Sequence, residues 1–415
     1  MATRSAAAAG PSAPNYTGPF ITVAILFGIF GFLTSLNNTL VKKLEDIFQL
    51  SHGPAMLATA AWFLAYLVFS VPSAKVIEKV GYKRTMVISL FVMVIGALLF
   101  VPAANWVSFP MTLFAIFVLA SGVCGLQTSA NPYVSILGPE QSAPARLTMA
   151  QAVNSIGSLA GPLVAGHFIL SSLNRTGDSA AAAHMLETPY KAIAGALLLL
   201  AFAVMALHLP AITMTREFRP AAGAGTERNI WTCRHTVFGM FGIFFYVGLE
   251  IAEASITIQF CQSQGLTNVE TASLMVSLFY LGMMIGRLLG SFIMVWIKAN
   301  KLLVVLGLCG VALLLCAMFS HGSTAIACVV LTGLANSIMY PTIFALGVAE
   351  LGPMTSKGSG VLTIGNVGGA VIPPLFGALA DKVGIPYAFA IPILGYLYVA
   401  YYGISGYKPE RQAAA

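Results

Sequence analysis

Apolar residues in this chain come in long blocks separated by short polar connections. The blocks run over 20–41, 55–77, 85–103, 109–134, 147–171, 190–211, 236–260, 268–294, 302–320, 324–349, 358–380 and 386–405. Each is about the twenty residues that an α-helix needs to cross ~30 Å of hydrocarbon. A membrane β-barrel would alternate apolar and polar positions in segments of about ten residues, a pattern absent here. Twelve transmembrane helices are therefore predicted, an all-α membrane protein. Pro132, Pro162, Pro341, Pro373 and Pro374 crowd the fourth, fifth, tenth and eleventh blocks. In lipid, such interruptions survive only where neighbouring helices or a cavity satisfy the freed backbone groups.

The longest polar stretch, Thr213 to Arg234, follows the sixth block and splits the chain into two sets of six. The two sets repeat each other. Asn154-Ser-Ile-Gly157-Ser-Leu-Ala-Gly-Pro162-Leu163 returns as Asn366-Val-Gly-Gly369-Ala-Val-Ile-Pro-Pro374-Leu375, 212 residues later. Asn131-Pro132-Tyr133 with Leu137-Gly138-Pro139 in span four is answered by Tyr340-Pro341-Thr342 with Leu351-Gly352-Pro353 in span ten. Each copy begins with a span of the same orientation, so the repeats are parallel and related by an axis along the membrane normal. The expected organisation is a tail (1–18), a first six-helix half (19–212), a linker (213–235), a second half (236–406) and a short tail (407–415).

Composition narrows the class further. Of 415 residues, 58% are hydrophobic and 8% charged, with a mean hydropathy of +0.86. A soluble domain carries about 25% charged residues, and disorder goes with low hydrophobicity, so both are excluded. The net charge of +7 does not point to nucleic acid, because the basic residues sit in short connections and form no patch interleaved with aromatics. With the amino terminus inside, fifteen Lys and Arg fall on the inner side and five on the outer; Arg287 is left within span eight. By the positive-inside rule both termini are cytoplasmic. The first apolar run is too long for a signal-peptide core and is expected to remain as the first span. The six cysteines lack CxxC or CxxH spacing and predict neither a disulfide framework nor a structural metal site.

Polar residues inside the spans carry the functional expectation, since each is expensive in hydrocarbon. Span seven holds Glu250 and Glu253, an acidic pair at i and i+3 on one helix face. Their repulsion calls for a proton on one of them or a cation between them. Asn37, Asn38, Gln127, Asn131, Gln151 and Asn154 lie in spans one, four and five, and Asn336, Tyr340 and Asn366 in spans ten and eleven. Amides and carboxylates offer forked donors and acceptors that suit the vicinal hydroxyls of a sugar, although a single amide in a span commonly just joins helices. Trp62, Tyr66, Phe279 and Tyr280 are available to stack on a sugar face.

The connection after span two, Ala74-Lys75-Val76-Ile77-Glu78-Lys79-Val80-Gly81-Tyr82-Lys83-Arg84, resembles the G-x-L-A-D-R-x-G-R-R loop of the major facilitator superfamily. There Glu78, with Lys79, Gly81, Lys83 and Arg84, would gate the cytoplasmic side by facing a helix N-terminus or a cation. The second-half counterpart, Gly286-Arg287-Leu-Leu-Gly290, is degenerate, and Arg287 is expected to snorkel to the inner surface. Three further segments are distinctive: Leu126 to Glu140, Arg146 to Gly157 and Met339 to Gly347. They resemble the fucose permease and glucose/galactose transporter branch of that superfamily, and the similarity runs from Asn37 to about Asp381. The resemblance implies that Asn38 and Gln127 stand where proton-coupled members carry titratable acids. It implies as well that Gln151, Asn154 and Asn131 line the first-half cavity, and that Glu250 holds the place of an acid found in glucose-transporting members.

The function expected is carriage of a hexose of the glucose, galactose, mannose or fucose type by alternating access, in a bacterial inner membrane. The partners expected are the sugar and lipid, the working unit a monomer, and no cofactor is called for beyond Na⁺ as a coupling ion. Sodium symport is favoured over uniport, with proton coupling third, and Glu250 and Glu253 are the candidate coupling groups. An efflux carrier of the same fold is a remoter alternative. No HExxH, GxSxG or intramembrane Ser/His pair suggests an enzyme, and no charge ring suggests a channel.

Overall fold

A computed structural model describes residues 17–47, 52–164, 187–207 and 229–409. Among the described residues the fold is all helix, with no strand. Spans one to nine are α1 (Thr17–Ile47), α2 (His52–Val80), α3 (Tyr82–Asn105), α4 (Phe109–Ile136), α5 (Ala143–Val164), α6 (Glu187–Ala206), α7 (Arg234–Ser263), α8 (Val269–Ile293) and α9 (Ala299–Phe319). Span ten is built from α10 (Gly322–Asn336) and α11 (Met339–Val348), and span eleven from α12 (Thr355–Ile364) and α13 (Gly368–Val383). Span twelve follows as α14 (Ile385–Ala388) and α15 (Ala390–Tyr401). Among the described residues, eleven spans are long and apolar enough to cross a membrane. The other, span five, has its expected outer end, 165–171, outside the described residues, as are most of the two tails and the linker.

The prolines divide into those that break a helix and those that do not. Proline lacks an N–H and its ring clashes with the carbonyl four residues earlier. Pro341 stands four after Ser337, and span ten breaks at Ser337–Ile338. Span eleven breaks at Gly365–Val367, a turn of 3₁₀-helix. Contrary to the interruptions expected there, Pro132 lies inside a continuous α4, and Pro373 and Pro374 inside a continuous α13.

Glycines set the closest crossings, and these repeat between the halves. A Cβ on Gly157 of α5 would collide with the Gly28 carbonyl oxygen of α1. In the second half a Cβ on Gly368 of α13 would collide with the Phe244 carbonyl oxygen of α7. At the rim of the first half, Phe100 of α3 stacks on Tyr190 of α6 with centroids 4.0 Å apart. The halves meet along α2 with α12, α4 with α12, and α5 with α8 and α11.

At the crossing of α1 and α5, Gly157→Val should overpack by about 1–3 kcal/mol and lower the unfolding temperature in detergent. Gly195→Ala, where a Cβ meets nothing within 4 Å, should not lower it.

Candidate functional site

Span four sets up the centre of the molecule by satisfying its hydroxyls internally. Thr128, Ser129 and Ser135 donate to the carbonyls of Cys124, Gly125 and Asn131 at 2.7, 2.8 and 3.0 Å. Gln127 and Asn131, one helical turn apart, are left to look outward. Gln127 Oε1 accepts from the Tyr66 hydroxyl of α2 at 3.2 Å. Asn131 Nδ2 donates across the interface to the Tyr340 hydroxyl of α11 at 3.3 Å, and its Oδ1 accepts from Gln151 Nε2 of α5 at 3.5 Å. Asn366 sits beside Tyr340 at the 3₁₀ break and donates to Thr363 O at 2.8 Å. Polar groups from both halves thus form one layer. Beside it lies an apolar cleft lined by Leu26, Phe27 and Phe30 of α1 and Leu126, Gln127 and Ala130 of α4.

Two of the expected site residues do other work. Asn154 Nδ2 donates to Phe27 O at 2.9 Å and ties α5 to α1. Asn336 belongs to a buried cluster in the second half, in which Glu253 Oε2 contacts Thr332 Oγ1, Asn336 Nδ2 and the Tyr396 hydroxyl at 2.9, 3.0 and 3.1 Å. The side chains of Asn37 and Asn38 lie outside the described ones. Of the aromatics, Tyr66 joins the polar layer. Phe279 is fully buried against Tyr280, and Trp62 is half-buried.

Arg287 does not snorkel to the surface. It is 9% exposed and points into the interface between the halves. Its Nε donates to Ser337 O at 3.1 Å, the carbonyl that Pro341 releases from the helix ladder. Its Nη1 reaches across to Ser155 Oγ at 2.6 Å and Gln151 O at 3.4 Å on α5. Glu250, one turn before Glu253, feels this guanidinium without forming a direct ion pair, and Tyr246 and Tyr280 stand near both. The Tyr246 hydroxyl is buried and makes no hydrogen bond of ordinary geometry. The two carboxylates expected to confront each other therefore have separate surroundings. The available signal was charge complementarity, since Arg287 and the acid pair are the charges deepest within the apolar blocks.

Polar contacts between the halves extend towards the end that carries the 2–3, 4–5 and 10–11 connections. Ser359 Oγ donates to Thr128 O at 2.6 Å, the carbonyl four residues before Pro132. Glu78 Oε1 accepts from Ser356 Oγ at 3.3 Å and pairs with Lys357 Nζ at 3.9 Å, facing the first turn of α12. Both partners of that pair are substantially exposed, so it contributes only about 0–1 kcal/mol. Glu350, at φ 58°, donates its N–H to Glu140 Oε1 at 3.1 Å, joining the two repeat-related Leu-Gly-Pro turns. Of the remaining loop residues, Lys83 caps the end of α6 by donating to Met205 O and Leu207 O at 2.8 and 2.7 Å. Gly81 supplies a φ of 84°, and Lys79 and Arg84 are exposed.

Losing the Arg287 contacts should loosen this end. In a background with a cysteine at Ser359, Arg287→Met should raise labelling by a hydrophilic maleimide about tenfold, the effect of ~1.4 kcal/mol of lost closure. Equal labelling would contradict the bridging role.

The Major Facilitator Superfamily domain matches residues 23–365. The chain is 39% identical over 400 residues to a "Glucose/galactose transporter" of Brucella abortus, covering 96% of each chain. It is 29% identical to the "L-fucose-proton symporter" of Escherichia coli, covering 92% of this chain and 91% of that one. The crystal structure of the transporter FucP in the outward conformation superposes with a TM-score of 0.83 at 28% identity, covering 94% of this chain and 98% of that one. The chain belongs to the Major Facilitator Superfamily, a family of membrane transporters rather than enzymes, in the branch of the fucose permease and the glucose/galactose transporters.

Proposed function

We propose that this protein is a sugar carrier of the inner membrane that moves a hexose by alternating access. The observation that carries this reading is the shared polar layer of Gln127, Asn131, Gln151 and Tyr340 beside an apolar cleft. Forked amides match ring hydroxyls, while Phe27, Phe30 and Leu126 suit the C–H face of the ring. The names of the relatives, glucose/galactose transporter and L-fucose–proton symporter, agree with a hexose. Asn366 and Glu250 border the same site, and Asn37 and Asn38 belong to it by sequence alone.

The halves 19–212 and 236–406 rock around this layer, exposing it to one side and then the other. Contacts gathered at the end with the 2–3, 4–5 and 10–11 connections support an outward-facing state, with Glu78, Lys357, Glu140 and Glu350 at its closed end. That assignment, like the cytoplasmic termini, rests on the lysine and arginine distribution. The carrier works as a monomer in lipid.

The sodium coupling expected from sequence gains little support. The Arg287 guanidinium stands beside Glu250, and its positive charge repels a second cation from the space between the two carboxylates. A proton suits these surroundings better, and uncoupled exchange is the alternative.

In proteoliposomes at zero ion gradient, saturable counterflow of labelled D-galactose or D-glucose is expected. Gln127→Ala and Gln151→Ala should each weaken sugar binding by about 1–3 kcal/mol, the usual cost of unpairing a buried polar contact. Parental affinity in both variants would mean that the site lies elsewhere. Absence of counterflow with any hexose would favour an efflux carrier with another cargo.

A further inference from the structure

We infer that Glu253, in the second half of the molecule, is the group that carries the coupled proton, and that it is loaded in the conformation described here. The inference rests on the sugar-carrier reading above and adds the place of the ion. In the first half Asn38 and Gln127 are amides and cannot carry a proton, so a proton-driven carrier needs another group.

Hydrogen counting around Glu253 supplies it. The Thr332 hydroxyl has one hydrogen and two acceptors in reach, Val329 O at 2.6 Å and Glu253 Oε2 at 2.9 Å. The Tyr396 hydroxyl has one hydrogen for Asn336 Oδ1 at 2.8 Å and Glu253 Oε2 at 3.1 Å. In each pair the shorter contact leads away from the carboxylate. Asn336 Nδ2, at 3.0 Å, is then the one donor left to an ionised Glu253. A proton on Oε2 adds a donor to a cluster short of hydrogens, bonding to the Tyr396 or Thr332 oxygen.

The charge balance agrees. Glu253 is 0% exposed, and its Oε1 has no hydrogen-bond partner. Neither α10 nor α15 brings a cation to it; each brings hydroxyls or an amide. On its own helix Glu250 and Tyr246 are near, and Arg287 of α8 interacts with Glu250. An ionised carboxylate here would be a buried charge without compensation, which proteins avoid by neutralising the group. A neutral acid leaves only a carbonyl oxygen unpaired.

The cluster is also connected to the sugar layer. Asn336 adjoins Ser337, whose carbonyl holds Arg287, and three residues further on Tyr340 meets Asn131. The proton enters from the outer water, resides on Glu253 while the carrier reorients, and leaves to the inner water as the cluster opens.

The test uses the full-length carrier in proteoliposomes with labelled D-galactose. In the parent, an inward proton gradient should drive accumulation, and a sodium gradient alone should not. Glu253→Gln supplies the missing donor permanently. It should keep sugar counterflow yet lose gradient-driven accumulation and the pH dependence of sugar binding. Glu270→Gln, at an exposed acid, should retain that pH dependence. Should Glu253→Gln fail to fold, Glu253→Asp, which misfits the three partners, should shift the pH midpoint of driven uptake. Parental accumulation in Glu253→Gln, an unshifted midpoint in Glu253→Asp, or a parent driven by sodium alone would overturn the assignment. Counterflow in the parent separates that outcome from failure of the sugar-carrier reading, which would abolish counterflow as well.

Discussion

A backbone carbonyl without a hydrogen bond costs several kcal/mol in hydrocarbon, and two prolines of this chain create such carbonyls where the halves meet. Pro132 releases Thr128 O, and Ser359 from the other half takes it at 2.6 Å. Pro341 releases Ser337 O, and Arg287 takes it at 3.1 Å while its other nitrogen reaches Ser155 across the interface. The prolines are repeat-related, so one device serves the junction twice. Bonds of this kind last only while the halves are in register. Rotation that separates this end must offer water or new partners to the same carbonyls, and water is available there only when the cavity opens to that side.

The polar layer obeys the same constraint in a different way. Gln151, Asn131 and Tyr340 are linked to one another across the junction of the halves, and Gln127 is linked to Tyr66. Asn154, by contrast, is committed to the Phe27 carbonyl, and Ser129 and Thr128 to their own helix. Side chains that bond to each other can exchange those partners for ligand hydroxyls. A side chain committed to a backbone carbonyl of another helix, as Asn154 is, ties those helices together, and this separates it from Asn131.

Twelve spans, the parallel repeat and the family resemblance were legible in the sequence, because hydropathy blocks and Gly/Pro spacing are one-dimensional signals. Which polar side chains meet was not, because that depends on the rotation of each helix about its axis. Arg287 shows the limit: from sequence a basic residue in a span reads as snorkelling, and the carbonyl that holds it exists only because of a proline fifty-four residues later. Pro132 and Pro341 look equivalent in sequence, yet α4 stays continuous and span ten breaks. Glu253 and Asn336, distant in sequence, look like separate site residues there and form one cluster in the fold.

In the proposed cycle the two halves pivot about the polar layer, and the end with the 2–3 and 8–9 connections is the closed one. Distances between spin labels test this directly. One pair, at Lys79 and Lys298, reports the closed end, and another, at Trp106 and Gln262, reports the opposite end. Adding D-galactose under conditions of exchange should lengthen the first distance in part of the population and shorten the second in the same fraction. Distances that stay fixed at both ends, or that change in the same direction, would contradict rocking of the halves around the central site.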